Sequence, residues 1–255
     1  MTAFLMSFAA CAVVSIFLGA LAVTGAPVRN LDLRASQASM LIALLREAGI
    51  DPAWLVAYIS DSEAKRKAAE AVGIPVSTWK TVLYGLLMGA RVPGRAQARR
   101  SRGTIAQAIR DAVPPAEFGS TYGRFLDYTA GLREALAEWH TWLVDEFAAE
   151  TAWRNPADGR RYLTNAAGAK VALEDLGAKK WRLQAQLAAF LLQGLEAALM
   201  HGLAASAEEY GFRVLSLEHD GLVVAGDVPP EAVEAAARAA GVPVELVALV
   251  EKAFG

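Results

Sequence analysis

The sequence predicts an α+β fold, because two strand-forming stretches lie far apart in the chain with a series of helical stretches between and after them. The first is Val28-Arg-Asn-Leu-Asp-Leu33. The second is Val214-Leu-Ser-Leu-Glu-His-Asp-Gly-Leu-Val-Val224, where apolar runs flank a Glu-His-Asp-Gly break. Composition agrees: 255 residues, 55% of them hydrophobic and with a net charge of −2, bury a real core in one or two domains and exclude a disordered chain. The single Cys11 excludes a disulfide framework and a cysteine-based zinc cluster.

Taken in order, residues Ala3 to Thr24 carry no charge and have the length of a membrane-spanning helix or a signal-peptide core. A signal peptide opens with Lys or Arg, yet none precedes Arg29, and Gly, Ala and Ser interrupt the run. Part of a soluble core is therefore read ahead of a membrane anchor, and nothing else in the chain reads as long and apolar enough to cross a bilayer. The strand Val28 to Leu33 leads into a helix whose Met40, Leu41, Leu44 and Leu45 recur at helical spacing. Asp32 falls where the strand stops, as a helix-capping residue or as an acid that binds a divalent cation together with a second acid from elsewhere.

Ser60 to Ala71 reads as a charged helix, broken by Gly73-Ile-Pro75. On the helix that follows, Val76 to Gly89, the residues Lys80, Tyr84 and Met88 are spaced four apart and share one face. Such a line grips a nucleotide, ammonium on phosphate and ring under base, or it packs with a snorkelling lysine. Arg91 to Gly103 is a basic loop whose Arg91, Arg95, Arg99, Arg100 and Arg102 suit an anionic partner. Gly123 to Glu150 reads as one long helix; its His140 has no second histidine at ligand spacing, which argues against a metal there. Asn155 to Gly159 is a turn, Lys179 to Glu209 a second long helix, and two alanine-rich helices are expected after Gly226. In the hairpin, alternation puts Glu218 and Asp220 on one face and His219 on the other, although an ordinary hairpin with a polar tip has the same pattern.

Asp32 at a strand end, Lys80-x-x-x-Tyr84-Gly-x-x-x-Gly89, Gln193-Gly194 on a helix and His219-Asp220 in a hairpin, in that order, resemble the palm and fingers of family A nucleic-acid polymerases. That family holds bacterial polymerase I-like DNA polymerases and the single-subunit RNA polymerases of phages and mitochondria. The resemblance runs from about Val28 to the C-terminus, where Gly241-Val-Pro-Val-Glu is similar to the family's ending. It implies an apolar segment 1–27 ahead of a palm/fingers domain 28–255. In that domain a small antiparallel palm sheet carries the acids, helical fingers span about 60–160, and thumb and exonuclease domains are absent. It implies Asp32 and Asp220 as catalytic, metal-binding carboxylates holding two Mg²⁺ ions, with Mn²⁺ as a substitute, and Lys80 on the triphosphate of the incoming nucleotide. Tyr84 would stack beside sugar and base, Gly85 and Gly89 would let the helix approach the template pair, and Gln193 and His219 would touch nucleic acid near the primer end. The arginines Arg95, Arg99, Arg100 and Arg102 would meet backbone phosphate. The implied partners are a primed DNA template, dNTPs and a replication accessory protein. The implied compartment is the cytoplasm, in a phage- or plasmid-like replication context, with membrane anchoring through residues 1–27 left open.

The departures from the family pattern define the competing readings. Val76 stands four residues before Lys80 where the family has Arg, so the triphosphate grip is weaker or is borrowed from Lys65, Arg66 or Lys67. Met88 replaces a tyrosine, and Gly221 replaces the Glu that follows His-Asp in DNA polymerases. Gln37 takes the sugar-gating position five residues after Asp32, in a register that the Ser36-Gln37 pair leaves open by two residues. DNA-directed DNA synthesis is the leading reading. Beside it stand an inactive or accessory nucleic-acid-binding relative, an RNA polymerase or primase-type activity, and a small membrane-associated helical protein.

Overall fold

A computed structural model describes residues 26–177, 179–217 and 221–254. The chain divides into two compact units, Gln37–Gly194 and a discontinuous one formed by Met1–Ser36 with Leu195–Gly255. The apolar segment, except for its last two residues, and Glu218, His219 and Asp220 lie outside the described residues.

Strand β1 (Val28–Leu33) matches the sequence expectation and hands over to α1 (Ser36–Glu47) through Ala35, which has φ 51°. Within the continuous unit, α1 buries Met40, Leu41, Ile42 and Leu45. The charged helix expected over Ser60 to Ala71 is α3 (Ala64–Val72), which starts four residues later than expected, and a separate helix α2 (Ala53–Ser60) precedes it. The Asp61 carboxylate accepts the Glu63 N–H at 2.9 Å, a side-chain turn that competes with the helical ladder. Gly73 caps α3 at φ 80°, where a left-handed residue is needed. Pro75 then opens α4 (Val76–Leu87), whose inner face of Trp79, Val82, Leu83, Leu86 and Leu87 is buried. The Trp79 indole donates to the Tyr58 hydroxyl at 2.9 Å and meets Tyr128 edge-on, which fixes the rotation of α4 about its axis.

The basic loop contains one helical turn, α5 (Arg95–Ala98), and is followed by α6 (Ile105–Ala112), whose Thr104 cap accepts the Gln107 N–H. The single helix expected over 123–150 is in fact α7 (Phe118–Tyr128), α8 (Ala130–Trp142), a π-helical turn Leu143–Phe147 and α9 (Ala148–Thr151). Buried Thr129 causes the first break: its hydroxyl donates to the Phe125 carbonyl at 2.7 Å, and Arg133 takes the Leu126 carbonyl at 2.8 Å. The turn at Asn155–Gly159 is present, but it belongs to a three-stranded antiparallel sheet, β2 (Trp153–Arg154), β3 (Arg161–Thr164) and β4 (Lys170–Ala172), that the sequence reading did not foresee. Helix α10 (Lys180–Ala205) carries the chain out of this unit. It overturns the expectation that nothing beyond the N-terminal run has span length, since it has 26 residues and mean hydropathy 1.4 over its most apolar stretch. Half of that stretch is buried inside the protein, as in a core helix.

The discontinuous unit is a four-stranded antiparallel sheet in the order β5-β6-β1-β7, with β5 (Arg213–Leu217) and β6 (Gly221–Ala225) forming the expected strand pair. Every residue of the inner strand β6 is buried, as its unbroken apolar run requires. Of the two helices expected after Gly226, only α11 (Pro230–Ala240) forms, packing Ala236 against Gly202 of α10. The rest is a 3₁₀ turn, Val244–Leu246, and strand β7 (Leu249–Lys252) paired with β1. Gly241 stops α11 in the left-handed conformation and Pro243 forbids its continuation, so the following Val and Leu residues are free to pair as a strand.

Candidate functional site

In the sheet unit, Asp32 is directly opposite Gly221 in the β1–β6 register, and β1 turns left-handed three residues later at Ala35. An L-residue in that conformation carries about 1–2 kcal/mol of strain. The Asp32 side chain is 14% exposed, and its carboxylate is ion-paired with the Lys252 ammonium of β7. Lys252 pairs across the strands with Asn30, so its side chain reaches Asp32 along the diagonal on the same face of the sheet. Gly221 is needed for the close strand approach, since a Cβ there would lie 2.6 Å from the Leu31 carbonyl oxygen and 3.3 Å from Asp32 Oδ1. The glutamate of the family pattern would therefore not fit this backbone. On the other face of β1, Arg29 pairs with Asp227 at 2.7 Å and Glu251 at 3.1 Å.

Among the described residues, no group of three His, Cys, Asp or Glu side chains gathers around a point where a metal ion would be held. The chemistry of Asp32 nevertheless suits a cation: it is a partly buried oxygen donor beside which the protein has placed a positive charge. Of the two carboxylates that the resemblance implies, Asp32 is the one that lies among the described residues. The other, Asp220, precedes Gly221 in the sequence and falls outside the described residues, as does His219.

In the helical unit, Lys80 and Tyr84 occupy the exposed face of α4, opposite the buried Trp79 side. Tyr84 is 53% exposed, so the packing explanation of this line fails for its ring, and Lys80 has no ion pair among the described residues. Met88 is half-buried at the C-cap of α4. Gly85 faces Ala90 and Ile105 at ordinary contact distance, whereas Gly89, at φ 74°, brings the chain against Ala185 of α10. Val76 is exposed in the first turn. Two of the three α3 residues expected to lend charge have acidic neighbours, since Arg66 pairs with Glu63 and Glu70 at 2.7 Å and Lys67 with Asp61 at 2.6 Å. Gln37 is half-buried in the first turn of α1. Gln193 is exposed on α10, while Gly194 admits Asn165, whose amide donates to the Phe190 carbonyl at 3.1 Å and pegs the β3–β4 turn to the helix.

The arginine loop has an organiser that the sequence did not reveal. Arg110 of α6 donates to the carbonyls of Ala98 at 3.0 Å, Arg99 at 2.9 Å and Ser101 at 3.0 Å. Arg99, Arg100 and Arg102 are exposed and have no carboxylate partner among the described residues, whereas Arg95 pairs with Asp127 at 3.2 Å. If the loop meets backbone phosphate as the resemblance implies, replacing Arg99 and Arg100 with alanine reduces the slope of log K against log salt for DNA binding by about 1.5 to 2, equally for all template sequences. Filter binding between 50 and 200 mM salt, a range chosen on the scale of ion release, measures this, and an unchanged slope would mean that the cluster faces away from the nucleic acid.

Beside the C-terminal end of α4, a cavity of about 550 Å³ is lined by Gly89, Arg91, Arg133, His140, Trp181 and Gln184 among others. Burial pushes His140 down to about 4, so its ring is neutral at pH 7, and its Nε2 has no hydrogen-bond partner among the described residues. Sequence reasoning missed Lys252 as well, because its stretch read as helix, and Leu249-Val-Glu-Lys252 carries no apolar/polar alternation that would mark a strand.

No protein-family model matches the chain, and no curated protein matches it. Among solved structures it is similar to the POL domain of Pol1 from M. smegmatis, determined in complex with DNA primer-template and dNTP. That likeness has 17% sequence identity and TM-score 0.48 and covers 89% of this chain and 40% of the other. It is a distant, fold-level similarity, and the chain spans two-fifths of the length of that structure.

Proposed function

We propose that this chain is a template-directed nucleotidyltransferase that extends a primed DNA strand with dNTPs. What supports the reading is that Asp32, near the end of β1, lies directly opposite Gly221, the first residue of β6 and the residue that follows the His219-Asp220 of the resemblance in the sequence. In this reading the two carboxylates meet at the lip of the sheet and hold two Mg²⁺ ions, which when bound neutralise charge on the transferring phosphate and acidify the primer 3′-hydroxyl. The remaining work is positional. The exposed Lys80 receives the triphosphate, the Tyr84 ring lies against sugar and base, and the arginine loop holds the template backbone. Primer extension by the full chain, with Asp32→Ala as control, tests the reading; extension that persists in the variant would sink it.

A second reading is supported by the Lys252–Asp32 ion pair and by the acids that already engage Arg66 and Lys67. In it the protein binds nucleic acid without turnover, as an accessory to another polymerase. Template binding with no extension in Mg²⁺ or Mn²⁺ would favour it.

Sugar choice follows from Gln37 and Tyr84. A long neutral side chain at Gln37 fills the space of a 2′-hydroxyl but can also hydrogen-bond to one, so deoxynucleotides are expected with leaky exclusion of ribonucleotides. The Tyr84 phenol offers the contact that a missing 3′-hydroxyl would have made, so dideoxynucleotides are accepted, and Tyr84→Phe is expected to reduce their use about tenfold, the worth of one hydrogen bond. Single-nucleotide insertion with matched deoxy, ribo and dideoxy triphosphates measures all three. Equal use of ribonucleotides moves the chain to the RNA polymerase reading, and an indifferent Tyr84→Phe variant shows that α4 is wrongly registered on the nucleotide.

A further inference from the structure

The ion pair at Asp32 is formed by a lysine at the end of an edge strand. Among the described residues, strand β7 has β1 as its one neighbour in the sheet, and the Lys252 side chain is 49% exposed where Asp32 is 14% exposed. The two groups are thus unequally held: the carboxylate is fixed on an inner strand, whereas the ammonium is on a flexible stem from the rim. We propose that Lys252 is a tethered counter-ion, whose ammonium holds Asp32 in the metal-free protein and which a divalent cation displaces on binding. This rests on the reading of Asp32 as a metal-binding carboxylate.

The physical grounds are charge and hydration. An ammonium offers a single charge and three donors, whereas a divalent cation brings twice the charge to the same oxygens. A half-exposed lysine regains water as it swings out, which lowers the cost of its release, while the carboxylate it leaves passes to the incoming cation. On the β6 side of the carboxylate, Gly221 presents no side chain; a Cβ there would lie 3.3 Å from Asp32 Oδ1. The displaced ammonium remains within reach of the site, so it acts as a competitor at high local concentration.

Titration of the full-length protein with Mn²⁺, followed by electron paramagnetic resonance of the free ion, tests the proposal without any need for turnover. Lys252→Met is expected to tighten Mn²⁺ binding about three- to tenfold by removing the competitor. Lys252→Arg, which keeps the charge, is expected to bind no more tightly than the wild type. Arg213→Met removes a charge from the opposite edge strand β5 and is expected to leave the affinity unchanged. Wild-type affinity in Lys252→Met, or equal tightening in Arg213→Met, would overturn the proposal. Asp32→Asn separates this failure from that of the underlying reading. If it retains the wild-type site, the ion is not on Asp32 and both fall; if it loses the site while Lys252→Met is unchanged, only the counter-ion role falls.

Discussion

Asp32→Asn is expected to lower single-turnover nucleotide insertion by about 10³-fold or more, while affinity for primed template changes little. The substitution is nearly isosteric, so β1 keeps its register with β6 and β7, but the neutral amide can no longer neutralise a cation. A carboxylate that holds a catalytic cation acts on charge that develops in the transition state, so its loss appears in the chemical step and not in ground-state binding. Asp220→Asn is expected to behave alike. Rapid-quench insertion together with fluorescence anisotropy of a labelled primer-template separates the two quantities. An Asp32→Asn protein that inserts nucleotides at more than a tenth of the wild-type rate would remove Asp32 from the chemistry, and one that loses template affinity in proportion to rate would make its role structural.

Gly89→Ala is expected to destabilise the helical unit by about 2–5 kcal/mol, of which about 1–2 comes from the left-handed backbone and about 1–3 from overpacking. Its φ is 74°, and an added Cβ would lie 2.8 Å from Ala185 Cα, 3.0 Å from Ala185 Cβ and 3.4 Å from His140 Nε2. The backbone of α10 is not a flexible tip that can move aside, so either the α4 terminus withdraws or the two helices part. Gly49 provides the comparison: its φ is 72°, with nothing within 4 Å of an added Cβ, so Gly49→Ala reports the conformational part alone. Urea unfolding of the two variants beside the wild type measures the difference. If Gly89→Ala costs no more than Gly49→Ala, the close approach to α10 is not a tight one in solution.

How much of this was legible in the sequence depended on whether the deciding force was local. Strand β1 and helix α4 were readable, because apolar periodicity and the Gly73–Pro75 break are local signals; the spacing placed Lys80 and Tyr84 on one face but left open whether that face was packed or exposed. The break at Thr129 was not, since it involves a hydroxyl that shares the Phe125 carbonyl with its own N–H and the Arg133 guanidinium, which reaches back to donate to the Leu126 carbonyl. Strands β2 to β4 were hidden by their brevity: two to four residues hold too few alternations to register a period. The most consequential miss was β7, where alanine-rich composition on both sides of Pro243 suggested more helix. With that strand went its pairing to β1 and the ammonium at Asp32, so one carboxylate of the candidate site was found in the sequence while its partner was not.

The way Arg110 supports the arginine loop has a thermodynamic consequence. Its donors are directed to backbone carbonyls and not to acids, so the loop acquires its shape without any cancellation of its charge. Arg99, Arg100, Arg102 and the guanidinium beneath them therefore repel one another in the isolated protein, and that repulsion weighs against the folded state. A polyanion bound along the loop would relieve it and, by mass action, raise the melting temperature of the helical unit by an amount that grows with the logarithm of its concentration above Kd. On the proposed function, nucleic acid would then stabilise the fold of this protein as well as serve it as a template.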